Sequence, residues 1–205
     1  MTAAMTLTEW VAWLAGQGIP PRLNPPATPA EIAATEQKLG VSFPADLREL
    51  YLQANGSEGG LLLGLPLHTL AQLEDAYANW ENVVYGDNGM FEESEDEDLY
   101  SSCPPGTVQS RYWVRGWIPL CTDGGGNHIA YDLAPAEAGS VGQLINMGPD
   151  EDDHIQLARS LAEFWAVCAR KVENGELKIE ADGLWSTPSG YVAFSGFRKE
   201  RRGLL

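Results

Sequence analysis

Between residues 25 and 56, apolar positions recur with the spacing of two short α-helices joined by a tight turn. Ile32 and Leu39 fall on one face of the first helix. Thr28 and Glu31 stand three residues apart just before this face, which is the pattern of a capping box. In that motif the hydroxyl and the carboxylate each accept a hydrogen bond from a backbone N–H of the first turn. The pattern therefore predicts a helix that starts after Thr28.

The second helix follows Gly40, and glycine often ends a preceding helix in the left-handed conformation. Phe43 and Leu47 have the spacing of a hydrophobic staple. Leu47 and Leu50 then begin the inner stripe of the second helix. Both predicted helices specify a fold, and neither carries a reactive group.

The rest of the chain alternates short apolar runs with turn signals. The predicted elements are a tryptophan-bearing amphipathic helix within residues 1–24, a buried strand at 60–65, a helix from Thr69 through Trp80, a strand pair around Gly116, a hairpin turn at 123–127, a strand at 128–133 with one solvated face, a strand at 139–147, a long helix preceded by the acidic residues 150–153, and two strands at 177–181 and 191–197. Helices placed before and after a group of strands predict an α+β fold.

The composition supports a packed core, because 44% of the 205 residues are apolar and seven are tryptophan. The three cysteines, Cys103, Cys121 and Cys168, are odd in number and lack the spacing of a metal site. The sequence shows neither a secretory signal nor an apolar run of membrane-spanning length. We therefore expect a protein of the reducing cytoplasm without a cofactor or bound metal.

The net charge of −16 is concentrated in the middle of the chain. Residues 49–158 contain 19 Asp and Glu against only Arg111 and Arg115. A surface of this kind repels nucleic acid and anionic membranes, whose phosphates bind Lys and Arg. It attracts a basic partner instead. The sequence leaves the oligomeric state open.

Several landmarks in fixed order resemble the SUKH superfamily, the Smi/Knr-like domains. The residues that carry this resemblance are Glu36, Leu39-Gly40, Pro44, Asp46-Leu47, Leu50-Tyr51, Asn55-Gly56, Trp117-Ile118-Pro119, residues 123–127, Asp132-Leu133, Gly139, Gly142-Gln143, Ala158, Ser160-Leu161 and Phe164. The resemblance covers roughly residues 25–172, with an acid-rich insertion at about 82–110. Residues 1–24 then form an N-terminal helix and linker, and residues 173–205 form a C-terminal extension with strands packed on the domain.

The resemblance implies one α+β domain with a mostly antiparallel sheet of about six strands, helices packed on it, and no enzymatic activity. Bacterial members of the superfamily are mostly regarded as immunity proteins, and fungal members act as scaffolds in cell-wall signalling. Our first hypothesis is therefore an immunity protein that neutralises a basic, possibly nuclease, toxin domain by direct contact. The alternative is a scaffold or adaptor in cell-wall or secretion-related regulation. A hydrolase that uses paired carboxylates is a third interpretation.

The candidate partner-binding site is an acidic run that could imitate a phosphate backbone in a toxin active site. Its six acidic residues within seven positions are Glu92, Glu93, Glu95, Asp96, Glu97 and Asp98. The competing interpretation is a solvated connection that keeps the protein in solution.

Three further groups have a chemical and a structural interpretation, and we favour the structural one for each. Residues 123–127 resemble a phosphate or calcium loop but lack its ligands, so they predict a hairpin turn. Residues 150–154 contain metal-type ligands but predict the cap of the long helix. Cys121 and His128 could form a nucleophilic pair, yet their apolar surroundings predict core packing.

The tryptophans divide into two pairs. Trp10 and Trp13 predict an exposed docking face on the N-terminal helix. Trp117 and Trp165 stand within strongly apolar patterns and predict core positions.

Overall fold

A computed structural model describes residues 4–86, 100–180, 183, 185–187 and 190–191 of the chain. The helices of this described part are, in chain order, α1 (Leu7–Gly16), α2 (Pro29–Leu39), α3 (Ala45–Gln53), α4 (Leu70–Tyr85) and α5 (Leu161–Glu173). The strands of the described part are β1 (Arg22–Leu23), β2 (Ser57–Glu58), β3 (Ser101–Cys103), β4 (Trp117–Thr122), β5 (His128–Asp132), β6 (Gln143–Met147), β7 (Asp153–Ala158), β8 (Lys178–Ile179), β9 (Trp185–Thr187) and β10 (Gly190–Tyr191).

The main sheet has the strand order β3-β7-β6-β5-β4 over the described residues. Its neighbours are antiparallel except for β3, which pairs parallel with β7. Smaller sheets pair β1 with β2 and β8 with β9 and β10. The α+β single-domain prediction is confirmed, with a mixed sheet of five strands where about six were expected.

Local signals predicted the first helices well. Thr28 and Glu31 form the capping box of α2, and Gly40 ends that helix with φ +68°. The buried Glu36 accepts a hydrogen bond from the backbone N–H of Phe43 at 2.5 Å and forms an ion pair with Arg48. The turn between α2 and α3 is thus held in place by the side chain of Glu36, which belongs to α2.

Other landmark residues tie elements together. The Tyr131 hydroxyl donates to Asp46 Oδ1 at 2.6 Å, which links β5 to α3. Gln143 Nε2 donates to Asp132 Oδ2 at 2.8 Å and to the Thr107 carbonyl at 2.7 Å. Burial raises the pKa of Asp132 to about 6, and the hydrogen bond from Gln143 opposes that change. These residues therefore have structural roles.

Two strand predictions are wrong in detail. Residues 128–133 were expected to have one solvated face, but all five residues of β5 are buried, so neither face of this central strand is exposed to solvent. Residues 60–65 form a tight turn with an isolated bridge between Leu62 and Leu65. A Cβ on Gly60 would lie 2.5 Å from Gly64 Cα, so the chain folds back on itself here instead of extending. The apolar side chains of this turn nevertheless lie in the core.

The acidic residues 150–153 do not cap the last helix. Asp153 begins β7, and α5 starts later, at Leu161. The hydroxyl of Ser160 caps α5 by accepting from the Glu163 N–H at 3.2 Å. Ile155 and Ala158 lie in the sheet because β7 pairs on both sides, and this partnership between distant segments overrides their helix-like spacing.

The predicted exposed docking face on α1 is also wrong. Trp10 is completely buried and its Nε1 donates to the Leu61 carbonyl at 3.0 Å. Its ring stacks on Trp13 and Trp165 at centroid distances of 5.1 and 5.5 Å, and Trp185 lies 6.1 Å away. These four residues, here called the α1 cluster, join the two ends of the described chain. The core positions predicted for Trp117 and Trp165 are confirmed.

The C-terminal strands differ from the prediction in their bounds. The first predicted strand, 177–181, is shortened to β8, and β9 was not predicted. Most of the second, 191–197, lies outside the described residues. No helix in the described part of the chain is long and apolar enough to cross a membrane.

Candidate functional site

A cleft of about 590 Å³ lies between α4 and the hairpin of β4 and β5. One wall is a face of α4 that includes Ala76, Asn79 and Trp80. The opposite wall includes Thr122 and Gly126 of the hairpin. This volume lies in the range of small-ligand or side-chain binding sites. We call this feature the cleft.

Helix α4 is positioned by its first turn. The Thr69 hydroxyl accepts from the Gln72 N–H at 3.2 Å, and Gln72 Oε1 accepts from the Thr69 N–H at 2.9 Å. Asn55 Oδ1 accepts from the Leu70 N–H at 2.8 Å. A Cβ on Gly56 would lie 2.9 Å from the Thr69 nitrogen, so only glycine allows the chain to approach the cap this closely. The start of the cleft wall is therefore fixed by the end of the preceding helix.

Two buried histidines form the floor of the cleft. The rings of His68 and His128 meet edge to face with centroids 6.0 Å apart. His128 Nδ1 lies 2.9 Å from the Cys121 carbonyl, so this nitrogen carries the proton and donates it. Nε2 is then the acceptor of the neutral ring. His68 Nδ1 has no hydrogen-bond partner within the described residues.

Both histidines are neutral at physiological pH. Burial lowers the pKa of His128 to about 4, and the Cys121 carbonyl opposes part of this change. Burial also lowers the pKa of His68, which the Pro119 carbonyl opposes. The floor of the cleft therefore adds hydrogen-bonding capacity without positive charge.

Aromatic side chains complete one end of the cleft. Trp80 meets Tyr112 with ring centroids 5.3 Å apart and His128 with centroids 6.0 Å apart. Val83, on the same helix, is 40% exposed and also lines the cleft. Val83 therefore adds one exposed apolar side chain to the aromatic end of the cleft.

The hairpin turn at residues 123–127 is confirmed by the antiparallel pairing of β4 with β5. Asp123 Oδ1 accepts from the Gly125 N–H at 2.7 Å, and Asp123 Oδ2 accepts from Asn127 Nδ2 at 2.8 Å. Asn127 Nδ2 also donates to Asp150 Oδ2 at 3.1 Å. The turn is thus braced to the loop before β7, and this brace is the structural role of Asp150. No group of metal ligands occurs in the part of the chain that the structure describes.

Cys121 and His128 do not form a catalytic pair. The histidine contacts the backbone carbonyl of Cys121, and the thiol itself is completely buried. Burial raises the pKa of this thiol to about 12, which keeps it protonated. The core-packing interpretation of both residues is confirmed.

A sequence profile described as the SMI1 / KNR4 family (SUKH-1) matches residues 26–166. The chain belongs to this family. The matched residues include both walls of the cleft. The resemblance to the SUKH superfamily is confirmed.

Relatives of the domain are named as regulators in fungi. The cell wall biosynthesis/cell cycle regulator smi1 of Schizosaccharomyces pombe is 36% identical over 165 residues, which cover 76% of this chain and 33% of the relative. The cell wall assembly regulator SMI1 of Saccharomyces cerevisiae is 32% identical over 78% of this chain and 38% of its own length. The glucan synthesis regulatory protein of Neurospora crassa is 30% identical over 78% of this chain and 36% of its own length. The chain thus spans about a third of the length of these relatives.

The six acidic residues predicted to bind a partner lie outside the described residues. The described chain stops before them at Gly86, just after α4, and resumes at Tyr100. Tyr100 lies 6.0 Å from the ring of Tyr112, which lines the cleft. The binding role of the acidic run stays a prediction.

Sequence reasoning did not identify His68, Trp80 and Tyr112 as site residues. Trp80 ends the helix predicted from Thr69, and Tyr112 belongs to the strand pair predicted around Gly116, although Tyr112 lies outside the strands of the described residues. One usable signal was present. Ala76 and Val83 interrupt the polar face of α4 at helical spacing, which marks a second apolar face.

Proposed function

We propose that this SMI1/KNR4 domain is a non-catalytic scaffold or adaptor that regulates cell-wall or secretion-related processes by binding a partner protein. The names of the fungal relatives support regulation of the cell wall. They favour this alternative over the toxin-neutralising hypothesis, for which no relative cited above gives support. Because the chain spans only about a third of these relatives, its own partners are part of the proposal.

The observation that carries the proposal is the cleft. It is concave, it is lined by aromatic and polar side chains, and it lies within the residues that match the family. Its two histidines face each other and a backbone carbonyl instead of a nucleophile. An arrangement of this kind can hold a ligand but has no activated group to attack it.

The charge distribution supports a basic partner. The cleft contains Asp75 and no Lys or Arg among its described lining residues. The acidic run between Gly86 and Tyr100 adds carboxylates to the same stretch of chain. Charge complementarity of this kind raises association rates and restricts the choice of partner. Binding of a basic partner by the acidic run remains part of this proposal.

The proposal can be tested by deleting the gene in the native host. We expect the deletion strain to become sensitive to agents that stress the cell wall, and the intact gene to restore resistance. A deletion that leaves the wall unchanged but exposes the cells to a toxin from neighbouring cells of the same species would replace this proposal with the immunity function.

A further inference from the structure

We propose that the cleft binds an arginine side chain presented by a partner protein, with its guanidinium lying over Trp80 and the histidine floor. This inference rests on the proposed binding function and specifies the chemistry of the partner. Three independent features of the cleft support it: its charge, its hydrogen-bonding groups and its aromatic wall.

The charge of the cleft favours a cation. Asp75 is exposed on the wall formed by α4, and no ion pair joins it to a cation within the described residues. The described lining contains no Lys or Arg that would compete with a cationic ligand. Phosphate or carboxylate ligands have no positive group to bind here. The cleft therefore discriminates against anions.

The floor of the cleft favours a ligand with several N–H donors. His128 donates from Nδ1 to the Cys121 carbonyl, which leaves Nε2 as an acceptor. His68 is 7% exposed, and its Nδ1 has no partner within the described part of the chain. Buried polar atoms of this kind are normally hydrogen-bonded, so His68 Nδ1 is a second acceptor beside the cleft that a donor could satisfy. A guanidinium carries five N–H donors in one plane and can reach two acceptors at once.

The aromatic wall distinguishes arginine from lysine. Trp80 and Tyr112 line the cleft together, with ring centroids 5.3 Å apart. A planar guanidinium stacks on aromatic rings and is more weakly hydrated than an ammonium group. The molecule already uses such a contact elsewhere, since the Arg115 guanidinium lies 4.3 Å from the centre of the Tyr85 ring.

The test is a titration of the full chain, followed by nuclear magnetic resonance, with an acetylated five-residue peptide that has one central arginine among serines and glycines. Two matched peptides carry citrulline or glutamate at the central position. Citrulline keeps the shape of arginine and removes its charge. We expect the arginine peptide to shift the Trp80 indole N–H and the Gly126 amide at millimolar concentration, and the other two peptides to leave them in place.

Two pairs of variants locate the site. Asn79→Arg places a positive charge on an exposed position of the wall, and like charges across an interface are strongly unfavourable, so we expect at least about tenfold weaker binding. Ala78→Arg adds the same charge at the neighbouring exposed position, which does not line the cleft, and should change binding less than about twofold. Asp75→Asn should weaken binding about threefold, whereas Glu137→Gln, away from the cleft, should not.

Equal binding of the arginine and citrulline peptides would overturn the inference that the ligand is a cation. Stronger binding of the glutamate peptide would show that the cleft prefers an anion. The absence of shifts at the Trp80 indole or Gly126 would overturn the site. None of these results would affect the deletion phenotype, so failure of this inference is distinguishable from failure of the proposed function.

Discussion

The α1 cluster and the aromatic lining of the cleft are built from the same residue types but differ in what covers them. In the α1 cluster, Trp10 is enclosed by Trp13, Trp165 and Trp185, and its indole N–H is bonded to a backbone carbonyl. In the cleft, Trp80 and the two histidines are packed against the domain on one side and border an open groove on the other. The first arrangement stabilises the fold, and the second leaves ring surface and polar atoms for a ligand.

This difference shows that aromatic content alone does not indicate a binding surface. The sequence assigned docking to the tryptophans of α1 and assigned no docking role to α4. The structure reverses this for α1, which packs against α5, whereas α4 packs on β4 and forms one wall of the cleft. Whether an aromatic side chain packs in the core or borders a binding surface depends on which structural element packs against it.

The largest expected effect is in the α1 cluster. Trp10→Ala removes a fully buried ring and its hydrogen bond, and we expect a loss of about 3–5 kcal/mol in the free energy of unfolding. Trp13→Ala should cost clearly less, because Trp13 is only partly buried. Urea denaturation of both variants checks this order. Equal stability of the Trp10 variant and the unchanged protein would show that α1 is not part of the core.

The next effect is the pH dependence of stability at the floor of the cleft. The folded-state pKa of His128 is about 4, below its ordinary value of 6.5, so the unfolded chain binds more protons between these pH values. The stabilising contribution of neutral His128 is present above pH 6.5 and is lost as the pH falls toward 4. The groups that act on this ring are the Cys121 carbonyl, His68 and Asp123.

His128→Asn isolates this contribution, because its amide nitrogen can still donate to the Cys121 carbonyl. As the pH falls from 6.5 to 4, we expect the free energy of unfolding of the variant to rise by roughly 2–3 kcal/mol relative to that of the unchanged protein. The pKa of Asp132 is raised to about 6, so protonation of this residue increases stability as the pH falls. This contribution is the same in both proteins and cancels from the difference. Urea denaturation at a series of pH values measures this difference, and parallel stability curves would contradict it.

A smaller effect concerns how firmly the cleft wall is held. Thr69→Ala removes the cap of α4, and Thr28→Ala removes the corresponding cap of α2. Each should cost about 1 kcal/mol of stability. Only the Thr69 variant should also bind the arginine peptide more weakly, because α4, unlike α2, forms a wall of the cleft. If both variants bind the peptide equally well, the first turn of α4 does not position the site.

The parts of the fold that the sequence predicted are those set by neighbouring residues. The capping box at Thr28, the helix start at Thr69 and the hairpin turn at residues 123–127 depend on side chains a few positions apart. The assignment of residues 150–153 failed because β7 is held between β3 and β6, and no local pattern shows such pairing. For the same reason the cleft was not predicted. His68 and His128 meet only when α4 and the hairpin are both in place.

The smallest expected effect concerns the acidic run, whose six residues follow the cleft wall along the chain. Replacing all six by Ser and Gln removes charge without touching the described lining, so the cleft should still bind the arginine peptide. We expect affinity to fall about twofold to fivefold at 0.01 M salt, where the screening length is about 30 Å, and to be unchanged at 1 M salt, where it is about 3 Å. Titration calorimetry at both salt concentrations measures this. A loss of affinity that persists at high salt would mean that the acidic residues contact the ligand directly. An unchanged affinity at low salt would mean that the cleft alone recognises the ligand, with Asp75 as its source of negative charge.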